Sequence, residues 1–176
     1  MDLVTYRLLL RELSGSDHQA VHLYASAQDV TRFMDWGPNT PEDTSAFLAE
    51  TRRAAKAVPR RNYTLAVVVR ASDELVGAVN LGETSSEHRR GEMGYVLARA
   101  HWGQGYATEA AAAILRFGFD GLGLHKISAT CDPDNAASAH VLEKIGMEYE
   151  GRLRQHLLIR GRWKDRLTYA VLTPHA

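Results

Sequence analysis

Apolar residues recur along this chain at two periods, and the switches between them predict its elements. Residues 4–10 (Val-Thr-Tyr-Arg-Leu-Leu-Leu) predict a first strand. Ser14-Gly15-Ser16-Asp17 supplies turn and cap residues for a helix over 18–29, whose apolar side is Ala20, Val21, Leu23 and Tyr24. Residues 31–41 are broken by Gly37, Pro38 and Pro41 yet carry Phe33, Met34 and Trp36, a heavy apolar load for a loop. A second helix is predicted over 42–57, with Phe47 and Leu48 near its middle and Pro59 beyond its end. Strands follow at 63–69 and 75–81, joined by a turn at Ser72-Asp73, then a polar loop at 84–90 and a strand at 92–98. An Ala-rich helix is predicted over 104–120, with Ala107, Ala110, Ala111, Ile114 and Gly118 on one face and Gly121 and Gly123 closing it. A short strand at 126–131 leads through Asp132-Pro133-Asp134-Asn135 into a helix at 136–145, with Ala137, Val141, Leu142 and Ile145 inward. Residues 148–172 read as two long strands joined by Arg160-Gly161-Arg162. The order β-α-α-β-β-β-α-β-α-β-β predicts an α/β fold with a mixed sheet and helices on both faces. No repeat or linker interrupts it, so one domain over residues 1–176 is expected.

Composition narrows the function classes. The 176 residues hold 21 Lys plus Arg against 21 Asp plus Glu, a balance that gives no reason to expect a nucleic-acid or membrane partner. Cys131 is the one cysteine, which rules out an intrachain disulfide and fits a reducing, cytoplasmic setting. No apolar run approaches the roughly 18 residues that span a bilayer, and the N-terminus alternates polar and apolar residues unlike a signal peptide.

The chemistry concentrates at residues 92–109, a strand (Glu92-Met93-Gly94-Tyr95-Val96-Leu97-Ala98) that runs through Trp102-Gly103-Gln104-Gly105 into the Ala-rich helix. A glycine turn feeding a helix leaves unpaired N–H groups and the positive end of the helix dipole pointing outward, where phosphate binds well. The turn lacks two features of a dinucleotide site. Its pattern is Gly-x-Gly-x-x-Thr, without the third glycine, and strand 126–131 brings no acidic residue for a ribose. No Gly-Lys-Ser/Thr loop occurs, so a P-loop is excluded.

Taken together, Glu92-Met93-Gly94-Tyr95, Trp102 through Ala110, Asn135-Ala136-Ala137-Ser138 and Glu143-Lys144-Ile145-Gly146-Met147 resemble the GNAT acetyltransferase superfamily. Within it they look most like the RimJ/RimL branch, which acetylates ribosomal-protein N-termini. One position departs: Trp102 stands where the superfamily pattern has Arg or Gln. The resemblance implies the GNAT fold and acetyl-CoA as co-substrate, with no metal. It implies that the amides of Gly103, Gln104, Gly105, Tyr106, Ala107 and Thr108 hold the pyrophosphate. The amides of Tyr95, Val96 and Leu97 would bind the pantetheine arm and thioester carbonyl, in a gap between strands 92–98 and 126–131. Asn135 and Ser138 would face the arm near its sulfur.

The reaction class can be argued beside the resemblance. An amine must lose a proton before it attacks a thioester, and Glu92 is the candidate general base. The thiolate that leaves needs a hydroxyl donor, for which Ser138 is the candidate. Met34 and Trp36 are candidates for the acceptor pocket. The acceptor stays open among a protein N-terminus, a small polyamine and an amine-bearing antibiotic, and the state between monomer and homodimer. Glu109 is expected to serve the helix dipole, Tyr106 to pack, and Cys131 to be a buried small hydrophobe rather than an acyl carrier. His18 and His22 are spaced i, i+4 but lack a third ligand, so a solvated helix face is expected. A catalytically silent acyl-CoA-binding module is the rival from another class.

Overall fold

The computed structural model describes residues 1–173. Strands are β1 (Asp2–Val4), β2 (Leu8–Glu12), β3 (Asn62–Val69), β4 (Glu74–Ser85), β5 (Arg90–Leu97), β6 (Lys126–Cys131), β7 (Glu148–Ile159) and β8 (Arg162–Leu172). Helices are α1 (His18–Ala25), α2 (Gln28–Thr31), α3 (Pro41–Ala55), α4 (Tyr106–Asp120) and α5 (Ala136–Lys144). The eight strands form one sheet in the order β1-β2-β3-β4-β5-β6-β8-β7. Every pairing is antiparallel except β5 with β6.

The two-residue period of β3 shows how the sheet is covered. Leu65, Val67 and Val69 join Ala110, Ile114 and Leu142 of α4 and α5 in one core. Ala66 and Val68, pointing the other way, join Val21 and Tyr24 of α1 and Leu48 of α3 in a second. A central strand apolar on both sides therefore carries helices on both faces, as its unbroken run of valines predicts. Gly118 sets the approach of α4: a Cβ there would lie 2.5 Å from Ile127 Cδ1 and 2.9 Å from Leu81 Cδ2. No helix among the described residues is long and apolar enough to cross a membrane.

Several sequence expectations are corrected. The first strand is two, because the chain reverses at residues 5–7. The Thr5 amide donates to the Leu8 carbonyl and the Thr5 hydroxyl accepts from the Leu8 amide, both at 2.9 Å, which closes the turn and leaves Tyr6 in solvent. The helix expected over 18–29 ends at Ala25, where the Ser26 hydroxyl caps the His22 carbonyl at 2.7 Å, and α2 starts afresh. Leu23 is 76% exposed, so Val21, Tyr24 and Ala25 form the buried side of α1. His18 and His22 are partly buried. They hydrogen-bond the Pro41 carbonyl and the Thr44 hydroxyl and so pin α1 to α3. The polar loop expected at 84–90 is shorter, residues 86–89: β4 runs to Ser85, opposite Arg90, because the ladder continues past the edge of the core. Ala137 is exposed rather than inward, and α5 packs through Leu142 with Val141 and Ile145.

Candidate active site

The parallel contact of β5 with β6 is three residues long: Arg90 opposite Lys126, Gly91 opposite Ile127, and Glu92 opposite Ser128. Beyond that rung β5 stays on β4 as far as Leu97, and β6 stays on β8 as far as Cys131. The two strands splay, and a gap opens in mid-sheet. The Ala98 amide donates to the Val76 carbonyl at 2.8 Å, which fixes the phase of the β4–β5 ladder. By alternation the amides of Val96 and Gly94 also face β4, while those of Leu97, Tyr95 and Met93 face the gap. Of the three amides expected along the arm, those of Tyr95 and Leu97 are free to serve, and that of Val96 is turned into the sheet.

A cleft of about 1200 Å³ runs through this gap from one face of the sheet to the other. Met93, Tyr95 and Leu97 belong to the α4–α5 side, and Val96 to the α1–α3 side. Glu92 therefore projects with Val96 toward the α1–α3 side, at the last rung before the strands part. It lines the cleft, is exposed, and has no ion-pair partner among the described residues.

On the α4–α5 side, Tyr95 reaches across the gap to α5. Its hydroxyl lies 2.9 Å from Ser138 Oγ and 3.0 Å from the Ser138 carbonyl. Burial pushes this phenol up to about 12, against the pull of the Ser138 hydrogen bond, so it stays protonated. It has one proton for two acceptors. When that proton goes to Ser138 Oγ, the serine proton is free to point into the cleft. Asn135 caps α5, its Oδ1 accepting from the Ser138 amide at 3.1 Å, so Asn135 and Tyr95 fix Ser138 from both sides. Tyr95 was expected to contribute an amide; its phenol is a site group that only the fold brings to Ser138.

The glycine turn lies past the end of β5. Gly103 and Gly105 have φ of 73° and 79°, the left-handed region that favours glycine. Helix α4 begins at Tyr106, two residues later than expected, because residues 103–105 form the turn. The first intrahelical bond runs from the Glu109 amide to the Gly105 carbonyl. No side chain caps the helix, so the amides of Tyr106, Ala107 and Thr108 are left without a helical partner. Trp102, at the departing position, donates its indole N–H to the Leu97 carbonyl at 2.8 Å and ties the turn to β5. The Gln104 side chain donates to the Ala100 carbonyl at 3.0 Å. Glu109 is anchored to the N-terminal strands. Its carboxylate accepts from the Thr5 hydroxyl (2.6 Å), the Arg7 amide (2.8 Å) and Arg7 Nε (2.7 Å). Burial works against ionisation there, but these donors outweigh it and hold the carboxyl below its ordinary value.

At the other end of the cleft, Phe33, Met34 and Trp36 line the wall, with Trp36 37% exposed. Two arginines from the closing hairpin hold this loop. Arg160 donates to the carbonyls of Thr31 (3.1 Å), Met34 (3.3 Å), Trp36 (3.2 Å) and Gly37 (2.6 Å). Arg166 donates to the Phe33 and Thr130 carbonyls, both at 3.2 Å. Neither clamp is visible in the sequence beyond a turn at Arg160-Gly161. The charged lining is acidic on balance: Asp35, Asp43, Glu83, Glu92 and Asp132 outnumber Arg166 and His156. Cys131 lines the cleft as a buried thiol pushed up by burial. Among the described residues no three metal-ligating side chains cluster.

The Acetyltransferase (GNAT) domain family matches residues 7–148. The uncharacterized N-acetyltransferase YnaD of Bacillus subtilis (strain 168) is 37% identical over 98% of this chain and 97% of its own. A spermidine N(1)-acetyltransferase of Escherichia coli (strain K12) is 31% identical, covering 92% of this chain and 84% of its own. Mycobacterium smegmatis RimJ, solved in complex with CoA-disulfide, superposes with a TM-score of 0.83 at 26% identity, over 96% of this chain and 83% of its own. The splayed strands, the uncapped glycine turn and the match over most of the sequence agree: this chain belongs to the GNAT family of N-acetyltransferases.

Proposed function

We propose that the chain, as one domain, transfers the acetyl group of acetyl-CoA directly to a primary amine brought to the gap from the opposite face of the sheet. The observation that carries this reading is the through-sheet cleft, with a free carboxylate on one side of the β5–β6 gap and a fixed serine hydroxyl on the other. Acetyl-CoA supplies the thioester. Gap-facing amides of Tyr95 and Leu97 orient the arm, and the unpaired amides at the start of α4 hold its pyrophosphate. An ammonium of pKa about 8 to 10 must lose a proton to become nucleophilic. Glu92, at the apex of the gap, takes that proton directly or through water. The developing oxyanion is met by a strand amide. Ser138 then protonates or hydrogen-bonds the departing thiolate, with Tyr95 on its far side. No covalent enzyme intermediate is needed, and positioning of the two substrates supplies much of the acceleration.

The acidic lining of the acceptor end favours a cationic amine. All three acceptor types considered from the sequence fit this: a protein N-terminus of the RimJ kind, a polyamine such as the one named for the 31%-identical relative, and an amine-bearing antibiotic. Thiol release from acetyl-CoA, measured across spermidine, spermine, lysine and Ser- or Ala-initial peptides, separates them. Acceleration by at least one amine is expected. Tight acetyl-CoA binding with no amine-dependent thiol release would sink the catalytic reading in favour of a binding module.

A further inference from the structure

The anion site proposed at the start of α4 contains an electrostatic conflict. Glu109 sits in the first helical turn, where a carboxylate suits the helix dipole but repels a pyrophosphate. Its charge is met by a residue about a hundred positions away. Arg7, at the β1–β2 turn, binds Glu109 through its amide and its Nε. The same guanidinium donates Nη1 to the carbonyl of Gln104, the middle residue of the Gly-Gln-Gly turn, at 2.8 Å. It also lies over the Tyr106 ring, 4.6 Å from the centroid. Nη2 has no hydrogen-bond partner among the described residues and stands beside Gly105, 3.3 Å from where a Cβ would be.

We propose that Arg7 is a positioning and charge-compensating residue of the CoA site. It neutralises Glu109, draws the Gln104 carbonyl away from the phosphate position, and presents Nη2 to a pyrophosphate oxygen beside Gly105. This rests on the reading of residues 103–108 as the pyrophosphate site. A guanidinium suits the task because its planar fork can satisfy a carboxylate on one edge and an anion on another. Gly105 is then required twice over, for its left-handed φ and for leaving room beside Nη2.

The test is calorimetric titration of CoA and dephospho-CoA, which share the pyrophosphate, into wild type, Arg7→Ala, Arg7→Lys and the double variant Arg7→Ala/Glu109→Gln. Arg7→Ala should weaken both ligands by about tenfold, and Arg7→Lys by less. Removing the orphaned carboxylate in the double variant should recover part of that loss, an outcome that general destabilisation does not produce. Thermal melts monitor folding, and Arg7→Lys keeps the charge if Arg7→Ala melts early. Unchanged affinity in Arg7→Ala overturns the proposal. So does a loss confined to CoA, which would place Arg7 on the 3′-phosphate, or a double variant no better than the single one. A wild type that binds neither ligand overturns the pyrophosphate reading itself.

Discussion

The proposed donor and acceptor ends of the site are built in different ways. The donor end is made of backbone from one continuous stretch, residues 93–108, whose amides are exposed by a strand splay and a glycine turn. The acceptor end is assembled from the loop at 31–39, strand β4 and the closing hairpin, and is held by the side chains of Arg160 and Arg166. A backbone site tolerates substitution at most positions, because any residue but proline offers the same amide. That accounts for Trp102 in place of Arg or Gln: its side chain secures the turn from behind while the amides of residues 103–108 stay available. A side-chain site has no such tolerance, so acceptor choice can change while the donor end persists.

The largest expected effect probes the donor end. Gly105→Trp introduces a side chain into a left-handed position and against Arg7, and should weaken CoA binding by at least about 100-fold in a calorimetric titration. Affinity near that of wild type would show that the turn does not hold the phosphates. Next, Glu92→Gln should lower kcat at pH 7 by about 100-fold while leaving the Kd of acetyl-CoA nearly unchanged, since Glu92 projects toward the α1–α3 side, away from the glycine turn. An unaltered rate would remove it from the mechanism.

Arg160→Ala tests the acceptor end alone. It should raise the acceptor KM about fivefold and speed amide exchange across residues 31–37, with acetyl-CoA affinity unmoved. A matching loss of acetyl-CoA affinity would mean that the two ends are not separable. The smallest effect concerns stability. Because the Glu109 carboxyl is held below its ordinary value, its stabilisation is fully present above about pH 4.3 and is lost as pH falls through the folded-state value. Glu109→Gln should therefore unfold about 1 kcal/mol more easily than wild type at pH 7, with the difference shrinking in acid denaturation.

Legibility followed the same division. Strand β6 was read residue for residue and β3 to within one residue, because alternating or continuous apolar runs bounded by turn residues leave little freedom. The reversal at residues 5–7 escaped because it is closed by the hydroxyl of Thr5, a residue equally at home in a strand. The break after Ala25 escaped for a related reason: Ser26 caps the helix through its side chain in a stretch of otherwise good helix formers. Met34 and Trp36 were legible as apolar residues out of place in a loop, and the cleft does run beside them. The arginines that hold their loop were not legible, since each bonds backbone carbonyls more than 120 residues away.

By itself, then, the sequence determined what short-range geometry determines: the mixed α/β order, the glycine turn with its unpaired helix amides, and the capped start of α5 with Ser138 one turn in. Only the tertiary structure decided which groups meet. The parting of β5 from β6 after Glu92, the phenol of Tyr95 on Ser138, Arg7 beside Gly105 and Arg160 on the acceptor loop are all contacts between residues far apart in the chain. Periodicity fixes the face on which a side chain lies, and the packing of distant elements fixes what stands opposite it.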